Sequence, residues 1–186
     1  MYNYVLKYKL KRYYKKNSRE NGFLNLKDVH TVLVLFDTEQ LTEASRCIDQ
    51  LKNLGKEVTV YAYITTNGEL GHLSADYHIL SRKAAGKWFG NPLYALAKEL
   101  EQKSFDAVID LTVRRNFPLE YLLACARATV KTGLKKSHFS LYDLAITPLP
   151  GAETKNGQVE ELGKQILYYL DTIKTPQAMP VATASK

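Results

Sequence analysis

The chain has 186 residues, enough for one domain that buries roughly 70% of its extended surface. It is 45% hydrophobic and 24% charged, with a net charge of +7, an ordinary globular composition that argues against a disordered or fibrous class. No stretch approaches the roughly 18 apolar residues of a membrane span. Nor does the start carry the apolar run of a secretory signal, because Lys7 follows Val5 and Leu6; a cytoplasmic protein is expected.

The charge is unevenly placed. Residues 1–28 hold eight basic side chains against two acids, a net +6, whereas the remaining chain holds 18 against 17, a net +1. This arm, residues 1–28, is expected to meet a polyanion. Its LKYKLK stretch alternates like a strand only from Leu6 to Lys11, and Arg12 breaks the pattern. A helical reading covers Tyr2 to about Lys16. On that helix Lys7, Lys11 and Lys15 form one row, with Arg12 beside it and Tyr4 and Tyr8 among them. Val5, Leu6, Leu10 and Tyr13 lie opposite, with Lys9 intruding.

A single α/β domain is expected over residues 29–174. Thr31–Phe36 is a short apolar run suited to a central parallel strand. Asp37 is placed to N-cap a helix reaching about Leu54, with Gln40 three residues on and Gly55 as its stop. Glu57–Thr65 is a second strand. Residues 66–90 form a less regular insert with a short strand around His78–Leu80. Asn91 and Pro92 open a helix to about Lys103, and Phe105–Leu111 is another buried strand. Asn116, Phe117 and Pro118 start a helix whose inner face is Leu119, Leu122, Leu123 and Ala126. Short strands are expected at Thr129–Thr132 and Leu141–Ile146, then an amphipathic helix from about Val159 to Ile173. Residues 175–186 have the composition of a disordered tail. Strand–helix alternation of this kind predicts a three-layer Rossmann-like or flavodoxin-like sandwich with a mostly parallel sheet, preceded by the basic helix.

Ligands of such folds bind beyond the carboxyl ends of the strands. Here those ends are Asp37–Glu39, Thr65–Asn67, Asp110–Asn116 and Thr147–Gly151. The first turn, FDTEQ, has no glycine and carries acids that repel phosphate, so it is no dinucleotide cradle. Asp37 and Asp110 both end strands. Converging, they would form a magnesium or phospho-acceptor pocket of the kind response-regulator receivers carry; apart, they serve as a cap and a strand end. The four histidines are scattered and no GxSxG elbow is present. Cys47 and Cys125, 78 residues apart, read as buried free thiols. No catalytic residue, metal ligand or cofactor is assigned, and the reading leans away from an enzyme.

Two basic segments remain. In DLTVRRN, Arg114 and Arg115 precede a helix start and suit an anion; alternatively they are loop arginines, one paired to Glu120. In SRKAAGKWFGNP, Lys83, Lys87 and Trp88 suit phosphate contact and base stacking; alternatively Trp88 plugs the core. The expected binding residues are therefore Lys7, Lys11, Arg12, Lys15, Lys16, Lys83, Lys87, Trp88, Arg114 and Arg115. Three functions compete: RNA or ribosome binding through the arm, docking on an anionic membrane or a protein, and a small-ligand or enzymatic site at the sheet edge.

The basic arm, VLVLFD, KWFGNP, FDAVIDL, PLEYLLACARATVKTGL and YDLAI together resemble a family of uncharacterised proteins from Bacteroidota, over about residues 1–147. That resemblance implies no reaction or ligand. FDAVIDL with VKTGL is more distantly similar to the amino-terminal half of heptosyltransferase-like glycosyltransferases. This second likeness implies a related nucleotide-binding-type fold without the sugar-nucleotide donor site, which the second domain of those enzymes holds.

Overall fold

A computed structural model describes residues 8, 10, 22–64, 74–81, 92–136, 141–147 and 157–174. The elements run β1 (Thr31–Asp37), α1 (Leu41–Asn53), β2 (Glu57–Ile64), β3 (Tyr77–Ser81), α2 (Pro92–Gln102), β4 (Ser104–Asp110), α3 (Phe117–Cys125), β5 (Arg127–Leu134), β6 (Leu144–Ile146) and α4 (Gln158–Thr172). All six strands pair in parallel, in the order β3-β2-β1-β4-β5-β6. This is a three-layer Rossmann-like sandwich, and its strand order reverses between β1 and β4.

Period-two alternation sends the residues of β1 to two cores. Val32, Val34 and Phe36 join Ala44, Ile48 and Leu51 of α1 and Val159, Leu162, Ile166 and Leu170 of α4. Leu33 and Leu35 face Leu93, Ala97 and Leu100 of α2 and Leu119, Leu122 and Leu123 of α3. Helix α3 is buried from Pro118 to Cys125, so it is covered on every side rather than on one inner stripe, with Glu120 as its one charged residue. In the arm, Tyr8 and Leu10 both have helical backbone, with Tyr8 exposed and Leu10 buried in the α2–α3 core. Of the arm's basic residues only Lys27 is described, exposed on the short 3₁₀ turn Leu26–Asp28; the others lie outside the described residues.

Helix α4 is tied at both ends. The Glu43 carboxylate accepts from the backbone N–H groups of Gly157 (3.0 Å) and Val159 (2.9 Å) at its start, where the helix carries partial positive charge. At its other end, Asn25 Nδ2 donates to the carbonyls of Asp171 and Ile173, both at 2.7 Å. Gly163 lets α4 approach α1, because a Cβ there would lie 3.2 Å from Cys47 Sγ.

Several boundaries move. β5 runs from Arg127 rather than Thr129, and β6 shortens to Leu144–Ile146. The larger correction concerns Asp37. It closes β1, a 3₁₀ turn over Thr38–Gln40 follows, and its side chain makes no capping hydrogen bond. Residue 37 is turned instead toward the neighbouring strand end. Gly55 follows α1 with φ +74°, as a stop glycine should.

Candidate functional site: a polar network at the carboxyl edge

The reversal between β1 and β4 brings Asp37 and Asp110 to adjacent strand ends. Both project to the α2–α3 side of the sheet, as the alternation along each strand requires. Asp110 is fully buried, and its carboxylate is saturated by donors. Oδ1 accepts from the Thr112 N–H at 2.9 Å and the Thr112 hydroxyl at 2.6 Å. Oδ2 accepts from Lys136 Nζ at 2.7 Å and from the Tyr142 hydroxyl at 2.6 Å. Lys136, itself 6% exposed, also donates to Thr112 Oγ1. Gly133 makes this possible. It is the register partner of Asp110 on β5, and a Cβ there would sit 2.6 Å from Tyr142 Cε1 and 3.1 Å from Asp110 Cβ.

Asp37 has a poorer environment. The residue is nine-tenths buried, and among the described residues its one hydrogen bond comes from Asn116 Nδ2 to Oδ1 at 2.5 Å. Burial pushes its carboxyl up to about 6; the Asn116 bond works against this and the Asp110 charge adds to it. The contrast with Asp106, at the opposite edge of the sheet, is instructive. Burial would raise that carboxyl too, but hydrogen bonds from Thr31 and His30 outweigh it and hold Asp106 below the usual range.

Asn116 joins this site to α3. It is the N-cap, with Oδ1 accepting from the Leu119 N–H at 3.2 Å while Nδ2 reaches Asp37. The preceding arginines separate in role. Arg115 donates through Nε and a terminal nitrogen to both Glu120 oxygens at 3.1 Å and lies over the Phe117 ring. It is thus committed to its own helix, as the paired reading expected. Arg114 is exposed and, among the described residues, makes no hydrogen bond or ion pair. Lys7, Lys11, Arg12, Lys15, Lys16, Lys83, Lys87 and Trp88 lie outside the described residues.

The structure adds residues that the sequence did not single out: Thr112, Lys131, Lys136 and Tyr142. Lys131 is buried in β5, with Nζ donating to the Leu123 carbonyl at 2.7 Å near the end of α3, where a cation is favoured. Gly133 would signal a close approach as a strand glycine, but the strand expected at Thr129–Thr132 stops short of it, and only β5 as observed takes it in. Lys136 and Tyr142 had no local signal, because they meet Asp110 only through strand order. Among the described residues no group of three or more His, Cys, Asp or Glu side chains is placed to hold a metal, and Asp110's oxygens are already filled by protein donors. Both cysteines are buried, and desolvation pushes the Cys47 thiol up to about 12, away from nucleophilic use. Among the described residues no helix is long and apolar enough to cross a membrane.

A parallel six-stranded sheet with helices on both faces, and polar residues gathered where the strand order reverses, defines an α/β domain of the Rossmann-like class. Within that class, the chain belongs to a family of unknown function (DUF6913), whose model matches residues 3–173. The match runs beyond residue 147 to take in α4. No curated protein and no solved structure matches the chain.

Proposed function

We propose that this chain is a cytoplasmic binding module whose basic N-terminal arm contacts a polyanion, RNA or the ribosome first. The carrying observation is charge segregation, a net +6 in residues 1–28 against +1 in the rest. The described arm positions agree with the helical wheel: Leu10, on the apolar side, is buried, and Tyr8, on the side of Lys7, Lys11 and Lys15, is exposed. A helix held to the body by its apolar stripe presents its basic row to a partner, with tyrosines available for stacking. Lys83, Lys87 and Trp88 extend the same chemistry. The carboxyl edge supports a second reading, a small-ligand or enzymatic site, because Asp37 and Arg114 stand where this fold class binds ligands. It ranks lower because Asp110 and Lys136 satisfy each other there. The likenesses to Bacteroidota proteins and to heptosyltransferases add no reaction to either reading.

The test is RNA binding against salt, measured by fluorescence anisotropy on the full chain and on a Lys7→Gln, Lys11→Gln, Lys15→Gln variant that keeps Leu10. Binding should fall steeply with salt, and the variant should lower the log–log slope by roughly two to three. A flat slope, or equal binding by the variant, refutes the reading. Retention on anionic vesicles without RNA binding would move the arm to a membrane surface.

A further inference from the structure

Among the described residues Asp37 has one donor, the neutral amide of Asn116. The groups facing it come from each element around it. Glu39 lies on its own turn, Asp110 ends β4, Tyr63 is its register partner on β2, Asn116 begins α3, and Lys136 follows β5. Among the described residues the nearby cation is Lys136, whose ammonium already serves Asp110 and Thr112. An ionised Asp37 is therefore a buried charge with like-charged neighbours and, among the described residues, no cation of its own. Asn116 holds Asp37 with one end of its amide and the first turn of α3 with the other. A movement that lifts this turn from the sheet edge therefore breaks the hydrogen bond to Asp37 at the same time.

We propose that the Asp37–Asn116 contact is a proton-operated latch: protonated Asp37 keeps the 111–116 loop and the first turn of α3 closed over the carboxyl edge, and ionised Asp37 favours their release into water. The sign follows from linkage. In the closed form the carboxyl titrates at about 6, against an ordinary 3.8 once solvated. The closed form thus holds the proton more tightly, and closure weakens as the pH rises through that window. Between pH 5 and pH 7.5 the local opening constant should rise about tenfold, with the change levelling off above pH 6. Arg114, exposed on the same loop, moves with the latch, so the edge presents its free arginine differently on the two sides of neutrality.

Amide hydrogen exchange on the full chain tests this, following Leu119 and residues 111–116 from pH 5 to pH 7.5 after correction for intrinsic rates. The opening constant of Leu119 should rise about tenfold in the wild type. In Asp37→Asn, which is neutral throughout, it should stay low and constant. Wild-type protection that ignores pH, or an equal pH step in the variant, overturns the latch. Should the variant fold poorly, the wild-type Asp37 carboxyl carbon signal supplies the second measurement. A midpoint near 6 shared with the Leu119 exchange upholds the latch, and a midpoint near 4 overturns it.

Discussion

Asp37→Asn should stabilise the protein, and by an amount that depends on pH. In the native state the Asp37 carboxyl titrates at about 6, chiefly because burial strips water from the charge; unfolded, it returns to 3.8. Across that window the native chain holds a proton that the unfolded chain has released. Wild-type stability attributable to this group therefore falls as pH rises from 3.8 to 6 and stays low above it. The difference between the two values corresponds to about 3 kcal/mol, of which about 2–3 kcal/mol accrues between pH 4 and pH 8. Asparagine keeps an acceptor for Asn116 Nδ2 and has no proton to lose. Any change it makes to packing is independent of pH, so the slope rather than the offset is diagnostic. Urea melts of both proteins at half-unit intervals from pH 4 to pH 8 give the difference directly, since titrations elsewhere cancel. A difference constant with pH, or one that shrinks on going alkaline, refutes the argument.

The Asp110 network yields two further outcomes. Lys136→Met leaves the Asp110 charge buried without a cation and should cost about 3–5 kcal/mol by urea denaturation, whereas Asp110→Asn together with Lys136→Met should recover most of it. A single substitution as mild as a surface change would show that the ion pair is not what holds this corner. Gly133→Ala forces a Cβ against the Tyr142 ring and should cost about 1–3 kcal/mol. In a Tyr142→Ala background the cost should shrink to what the Asp110 Cβ contact leaves, and equal costs in both backgrounds would contradict the crowding.

The layered fold was legible because its signals are local. TVLVLF carries no charged residue and reads as a strand buried on both faces. Asn116 with Pro118 announces a helix start whose cap bond to Leu119 is present. Gly55 stops α1 in the left-handed region that glycine favours. The site was legible only in part. Asp37 and Asp110 were visible as strand ends, but whether they meet depends on which strands are neighbours, and single-sequence patterns leave that order open. Asp37 read as a cap because its spacing to Gln40 imitates a capping box. The competing acceptor role appears only when Asn116, 79 residues later, is brought alongside. Lys131 and Lys136 were masked by the opposite problem. Lysine in a strand or just after one is usually solvated, and only a carbonyl at the end of α3 and a buried carboxylate give these two their partners.

The ties on α4 carry a consequence for how the chain is made. Glu43 and Asn25 hold the two ends of a helix that follows them in the chain by 114 residues or more. Until that helix has left the ribosome, Val32, Val34 and Phe36 lack the cover it gives them, and that apolar flank of the sheet is open to water or a chaperone. This side of the core therefore closes in a late docking event rather than by steady growth from strand to strand.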